Sequence, residues 1–190
     1  VLNRTYKQVS GLTAQVNVFS LDSKPVFNEN VNVSLAPTDI KETLSLDKVL
    51  KETGGVKFVI LNLKNQSGKV ISHNTYWISN GGDYKSMNEM DETNINVSVL
   101  MEAKGKNDPE WNIQIKNNTG KIAFFIRPQL MADGKEILPS FWSQSYFTLA
   151  PGESTEVVVT CPAALLSGES PVLKVSGWNV PLTEIELKKN

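Results

Sequence analysis

The sequence predicts an all-β chain built as two tandem antiparallel β-sandwiches, and three observations carry that expectation. Apolar residues recur at every second position in many short runs, the pattern of half-buried strands. Turn-forming residues separate the runs. One strand–turn–strand pattern also occurs twice, once in each half of the 190 residues.

The elements follow in order. Leu12, Ala14, Val16 and Val18 alternate with Thr13, Gln15 and Asn17, so one face goes to a core and the other to water. The same period returns in Val31/Val33/Leu35, Ile95/Val97/Val99, Trp111/Ile113/Ile115, Ile122/Phe124/Ile126 and Thr155/Val157/Val159. Residues 56–63 are more continuously apolar, as a central strand or one carrying a bulge is, with Gly54-Gly55 as the turn leading in. Turns are expected at Asp22-Ser23-Lys24, Asn65-Gln66-Ser67-Gly68, Asn117-Asn118-Thr119-Gly120, Asp133-Gly134 and Pro151-Gly152. Only 46–53 looks helical, for one or two turns. Short strands at near-regular spacing place the sandwiches in the immunoglobulin-like class rather than among βαβ folds.

The repeated pattern is a polar turn followed by a strand ending in Leu-Ala-Pro, Leu35-Ala36-Pro37-Thr38-Asp39 in the first half and Leu149-Ala150-Pro151-Gly152-Glu153 in the second, each leading to a further expected strand, Glu42-Thr43-Leu44-Ser45-Leu46 or Thr155-Glu156-Val157-Val158-Val159. It favours two similar sandwiches over one large one. The polar stretch 81–94 shows no alternation and holds the expected boundary, giving domains 1–92 and 93–190. Expected core residues are Val16, Val33, Phe58 and Ile60 in the first, and Ile113, Ile115, Phe124 and Val157 in the second.

Composition excludes several functions. The 19 basic and 20 acidic residues balance, and no basic block follows a phosphate backbone, so nucleic acid is not an expected partner. No apolar run approaches the ~20 residues of a membrane-spanning helix. The opening Val1-Leu2-Asn3-Arg4-Thr5 has neither an initiator Met nor a signal peptide, and the chain is expected to begin inside a longer polypeptide. Five Asn-x-Ser/Thr sequons, at Asn3, Asn32, Asn65, Asn96 and Asn117, invite a secretory reading without fixing a compartment.

Searched for chemistry, the residues yield no active centre, so catalytic, cofactor-binding and metal sites are all expected to be absent. The lone Cys161 follows Val157 and Val159 on one strand face and reads as core. His73 is the only histidine, and no Cys pair, HxxxH spacing or carboxylate cluster completes a metal site around it. Sugar hydrolysis needs two converging carboxylates, whereas Glu29, Asp39, Glu42, Asp133, Glu136 and Glu153 flank strands as solvated charges do. Asn28-Glu29-Asn30 lacks the glycine and later bidentate Glu of a calcium loop. Phe141, Trp142, Tyr146, Phe147 and Trp178 have two readings: a sugar-stacking surface, or core and interdomain packing, which is the expectation taken here. Trp178 falls on the outer face of its strand unless Gly177 marks a bulge.

Several segments together resemble the C-terminal accessory domains of glycoside hydrolase family 2, closest to the exo-β-glucosaminidase and β-mannosidase branch. They are Val1-Leu2-Asn3-Arg4-Thr5-Tyr6 through Gly11-Leu12-Thr13-Ala14, then Asn74-Thr75-Tyr76-Trp77-Ile78-Ser79. In the second half they are residues 137–149 with Pro151-Gly152-Glu153, and the closing Val175-Ser176-Gly177-Trp178-Asn179. The resemblance implies a preceding jelly-roll-like domain, an immunoglobulin-like domain and a catalytic (β/α)8 barrel carrying both catalytic glutamates, none of which map onto this chain. Where those relatives have a longer aromatic-rich connection, this chain has the short polar run Asp83-Tyr84-Lys85-Ser86-Met87-Asn88, and the substrate branch stays open.

Three functions are thereby weighed: a non-catalytic accessory region of a glycosidase, favoured by the resemblance; a free-standing carbohydrate-binding module; and a structural or adhesive β-sandwich protein. The expected partners are the barrel and other domains of the parent chain. Carbohydrate stays open as a partner.

Overall fold

Strand β1 (Val9–Ser20) shows how the alternation becomes a sheet: Leu12, Ala14, Val16 and Val18 are buried, and the residues between them are half-exposed. The computed structural model describes residues 1–52, 54–104, 108–166 and 170–187. These divide into two compact units, Val1–Met90 and Asp91–Asn190. All sheets are antiparallel, and the fold class is all-β and immunoglobulin-like.

In the first unit β1 is followed by β2 (Pro25–Leu35), helix α1 (Asp47–Glu52), β3 (Val56–Lys64) and β4 (Val70–Ser79). The strands form one four-stranded sheet in the order β2-β1-β3-β4. Central β3 is buried on both faces from Val56 to Ile60, which is why its sequence there is apolar apart from Lys57. Val16, Val33, Phe58 and Ile60 are all buried. The helix matches its expected position, Thr53 lying outside the described residues, but the strand expected over residues 42–46 does not form, because a cleft holds that segment off the sheet it would have to pair with. A cleft of about 730 Å³ separates Ala14, Leu61 and Asn74 of the sheet from Glu42, Leu44 and Leu46 of the segment after β2.

The second unit contains β5 (Asn96–Lys104), β6 (Pro109–Lys116), β7 (Ala123–Ala132), β8 (Lys135–Glu136), β9 (Phe141–Trp142), β10 (Phe147–Leu149), β11 (Ser154–Thr160), β12 (Val172–Ser176) and β13 (Thr183–Glu186). One sheet runs β5-β6-β11-β9, the other β10-β7-β12-β13 with β8 on β7. Trp111, Ile113, Ile115, Val157 and Val159 of the first sheet share one core cluster with Ala123, Ile126, Leu130, Leu173 and Val175 of the second. That is the packing of a sandwich. Each fully buried aliphatic contributes about 1.5–3 kcal/mol.

One expectation needs correcting. Ile122, Phe124 and Ile126 are all buried, as expected, but they are not one regular strand face: Ala123 and Ile126, three apart, both join the core cluster. The register against β10 runs Leu149↔Ala123 and Phe147↔Ile126, so β7 spends one extra residue there. Phe125 sits in this bulge at φ +56°.

The Leu-Ala-Pro echo is also structural. Asn3 Nδ2 donates to the carbonyls of Ala36 and Lys7, each at 2.8 Å, and its Oδ1 accepts from Thr5 N–H (3.0 Å) and Thr5 Oγ1 (2.8 Å). Asn117 Nδ2 donates to Ala150 O (3.1 Å), Leu149 O (3.1 Å) and Lys121 O (2.6 Å), and its Oδ1 accepts from Thr119 N–H (3.1 Å) and Thr119 Oγ1 (2.7 Å). The backbone bonds correspond as well, Asn3 N–H to Asp39 O and Asn117 N–H to Glu153 O, each 2.9 Å. Asn-x-Thr-x-Lys thus clamps the Leu-Ala-Pro turn in both units. Two of the five sequons are therefore buried structural amides.

Candidate functional site

The residues with intrinsic chemistry are dispersed. Cys161 is buried in the second core, and burial raises its thiol pKa, which suppresses the thiolate. His73 is exposed on β4, with Nδ1 2.7 Å from Asn62 Oδ1 and Nε2 3.1 Å from Thr75 Oγ1. Lys57 is buried on β3 and donates to the Gly54 carbonyl, its pKa lowered by burial. Among the described residues no group of three His, Cys, Asp or Glu side chains converges on a metal position. Asn28, Glu29 and Asn30 are all exposed along β2, where a strand's alternation sends successive side chains to opposite faces.

The carboxylates stay apart too. Glu29, Glu42 and Asp133 are exposed. Glu153 Oε2 accepts from Ala150 N–H at 2.8 Å, holding the Leu-Ala-Pro turn. Asp22 is held near pKa 2 chiefly by the hydrogen bond from Lys24, aided by Ser20. Glu136 departs from the solvated reading: Arg127 Nη2 donates to both its oxygens (3.0 and 2.8 Å), and Gln129 Nε2 adds a bond of 2.9 Å.

The aromatic residues split into two groups. Trp142 and Phe147 pack against the second core, as expected, Trp142 Nε1 donating to Ser140 Oγ at 3.0 Å. Phe141 (62% exposed), Tyr146 (50%) and Trp178 (55%) overturn the packing expectation within this unit. β9 and β10 are only two and three residues long, so their neighbours leave the sheet at once. Trp178 is turned outward by the turn that holds it. Asn179 Oδ1 accepts from Phe124 N–H (2.9 Å), and its Nδ2 donates to Ile122 O (2.8 Å) and Asp91 O (2.9 Å). A Cβ on Gly177 would lie 2.8 Å from Phe124 O, so only glycine lets Trp178 N–H reach that carbonyl at 2.9 Å.

One surface gathers these features. Phe125 and Tyr146 both sit at φ +56°, a region that costs bulky L-residues roughly 1–3 kcal/mol each. Their ring centroids are 4.9 Å apart, and the Arg127 guanidinium carbon lies 6.0 Å from the Tyr146 centroid. The Arg127–Glu136–Gln129 network adjoins them on the sheet face opposite the core, since Ile126, Val175 and Leu173 take the inward positions beside it. Sequence reasoning missed Phe125, Arg127 and Gln129. The Phe124-Phe125 doublet, which interrupts a period of two, was the available signal.

Such a chain is an immunoglobulin-like β-sandwich protein, and the chemically distinctive feature among its described residues is this surface. Residues 74–180 match the family described as the exo-β-D-glucosaminidase Ig-fold domain, and the chain belongs to that family. Residues 1–80 match the mannosidase Ig/CBM-like domain. An exo-β-D-glucosaminidase of Amycolatopsis orientalis is 26% identical over 94% of this chain and 20% of its own length. One of Arthroderma benhamiae is 25% identical over 95% and 22%. A mannosylglycoprotein endo-β-mannosidase of Lilium longiflorum is 23% identical over 94% and 25%. The crystal structure of the Amycolatopsis orientalis exo-chitosanase CsxA shares the fold, with TM-score 0.85, 23% identity and coverage of 98% of this chain and 25% of that one. The chain spans a fifth to a quarter of these relatives, and is homologous to an accessory immunoglobulin-like region of glycoside hydrolases.

Proposed function

We propose that the chain is the non-catalytic C-terminal accessory region of a larger glycoside hydrolase family 2 enzyme acting on β-linked glycans of the glucosaminide, mannoside or galactoside type. The catalytic (β/α)8 barrel then lies elsewhere in the same polypeptide, and the two sandwiches, 1–92 and 93–190, support it. The observation that carries this reading is the continuous likeness along 94–95% of the chain to about a fifth of longer glucosaminidases. Tethering also supplies an accessory domain to its barrel at millimolar effective concentration for a short linker.

The test is the full-length open reading frame. An upstream barrel with a pair of glutamates positioned for a retaining mechanism supports the reading; a frame without one contradicts it.

A further inference from the structure

We propose that the outer face of the β7 sheet in the second unit binds an uncharged pyranose unit of a β-linked glycan. Tyr146 is the stacking ring, and Arg127, Gln129 and Glu136 recognise its hydroxyls. The choice of glycan as occupant rests on the accessory-region reading above.

The site is built rather than incidental. An L-residue with a large ring avoids positive φ, yet Phe125 and Tyr146 both adopt +56° and meet at 4.9 Å. Phe125 in turn rests on the buried Phe124, centroids 5.5 Å apart and planes tilted by 40°, so Tyr146 is backed by tilted rings instead of lying loose on the surface. The bulge in β7 leaves Phe125 only half-buried, where it meets Tyr146. Tyr146 as a whole stays half-exposed, with the Arg127 guanidinium carbon 6.0 Å from its centroid, and the apolar C–H face of a sugar ring fits such an aromatic surface.

Beside the ring lies a fixed set of planar polar groups. Glu136 is gripped at both oxygens by Arg127 Nη2 and at one by Gln129 Nε2, which fixes their positions before any ligand arrives. Arg127 makes no further hydrogen bond to the described residues, so its Nε and Nη1 donors, with the Gln129 carbonyl, remain for hydroxyl groups.

Charge decides the class of sugar. Arg127 is neutralised by Glu136, and Lys174 on the adjoining β12 is neutralised by Glu184 at 2.7 Å. Beside the ring a uronic acid meets cations that are already paired, and a glucosamine meets a Glu136 carboxylate that is already paired; the exposed Glu186 of the same face lies two strands from β7, on β13. Neutral hexose or N-acetylhexosamine units lose nothing on entering.

The experiment is calorimetric titration of the 190-residue chain with three β-1,4-linked hexamers: mannose, N-acetylglucosamine and glucosamine. At least one neutral hexamer is expected to bind, and more tightly than the glucosamine hexamer. Tyr146→Gly removes the ring while glycine accepts φ +56° without strain, so it folds; its affinity is expected to fall by roughly tenfold or more. Phe141→Ala, on the other sheet, is expected to leave affinity unchanged. No heat from either neutral hexamer at millimolar concentration, binding that survives Tyr146→Gly, or preference for the glucosamine hexamer each overturns the proposal. A reading frame lacking a barrel would instead remove the accessory-region reading and leave the titration standing.

Discussion

The two asparagine clamps do the same work in unlike surroundings. In the first unit the clamped turn is Leu35-Ala36-Pro37-Thr38-Asp39, with Thr38 forced to φ +56°; in the second, glycine takes the corresponding position, Gly152, at φ +77°. Asn3 holds one carbonyl of its turn and Asn117 holds two. The second unit also closes a core between two sheets, whereas the first packs its four-stranded sheet beside a strand-poor segment and an open cleft. The clamp is thus independent of how the second layer is built. It fixes the path of the chain at one end of a sheet, and the better-packed unit gives it more to hold.

The difference is sharpened first where packing is greatest. Trp111 is among the largest fully buried side chains, and Trp111→Ala is expected to lower stability by about 3–5 kcal/mol in denaturant unfolding. The loss of hydrogen-exchange protection should concentrate in β5–β13. Equal loss in β1–β4 would show that the units do not keep separate cores.

Next come the clamps themselves. Asn117→Ala strands three carbonyls and the Thr119 N–H, and is expected to cost about 2–3 kcal/mol, against about 1–2 kcal/mol for Asn3→Ala. Equal costs by chemical denaturation would show that the additional carbonyl held by Asn117 adds no stability. The turn position should then respond with opposite signs. Gly152→Thr is expected to destabilise by roughly 1–2 kcal/mol, while Thr38→Gly gains up to about 1 kcal/mol, strain relief outweighing glycine's entropy.

The smallest effect belongs to the Asp22 turn of the first unit. Its carboxyl is held at about 2, below the ordinary 3.8, by the hydrogen bond from Lys24 and then that from Ser20. A depressed folded pKa stabilises fully above pH about 4, and the contribution disappears as pH falls through 2. Asp22→Asn should flatten that part of an acid-unfolding curve by slightly lowering stability at neutral pH while leaving it unchanged below pH 2.

Much of the fold was legible in the residues. Leu12 to Val18 and Trp111 to Ile115 read correctly because a strand's period of two is fixed by backbone geometry alone. The doubled Leu-Ala-Pro was visible as well, but its clamp was not: a buried Asn-x-Thr and an exposed sequon are spelled alike, and only burial of the amide separates them. The candidate surface was the least legible part. A phenylalanine at positive φ is a state that local propensity argues against, so the bulge at Phe125 comes from tertiary packing. Phe141 and Tyr146 read as core because β9 and β10 are too short to display a period. The glycosidase connection came from family resemblance, which periodicity and charge could not supply.

The proposed accessory, non-catalytic role can be checked by incubating the purified 190-residue chain with aryl β-glucosaminide, β-mannoside and β-galactoside substrates and following aglycone release. The expected result is release indistinguishable from buffer for all three. Turnover that follows the protein through purification and vanishes on a single Asp or Glu substitution would contradict it.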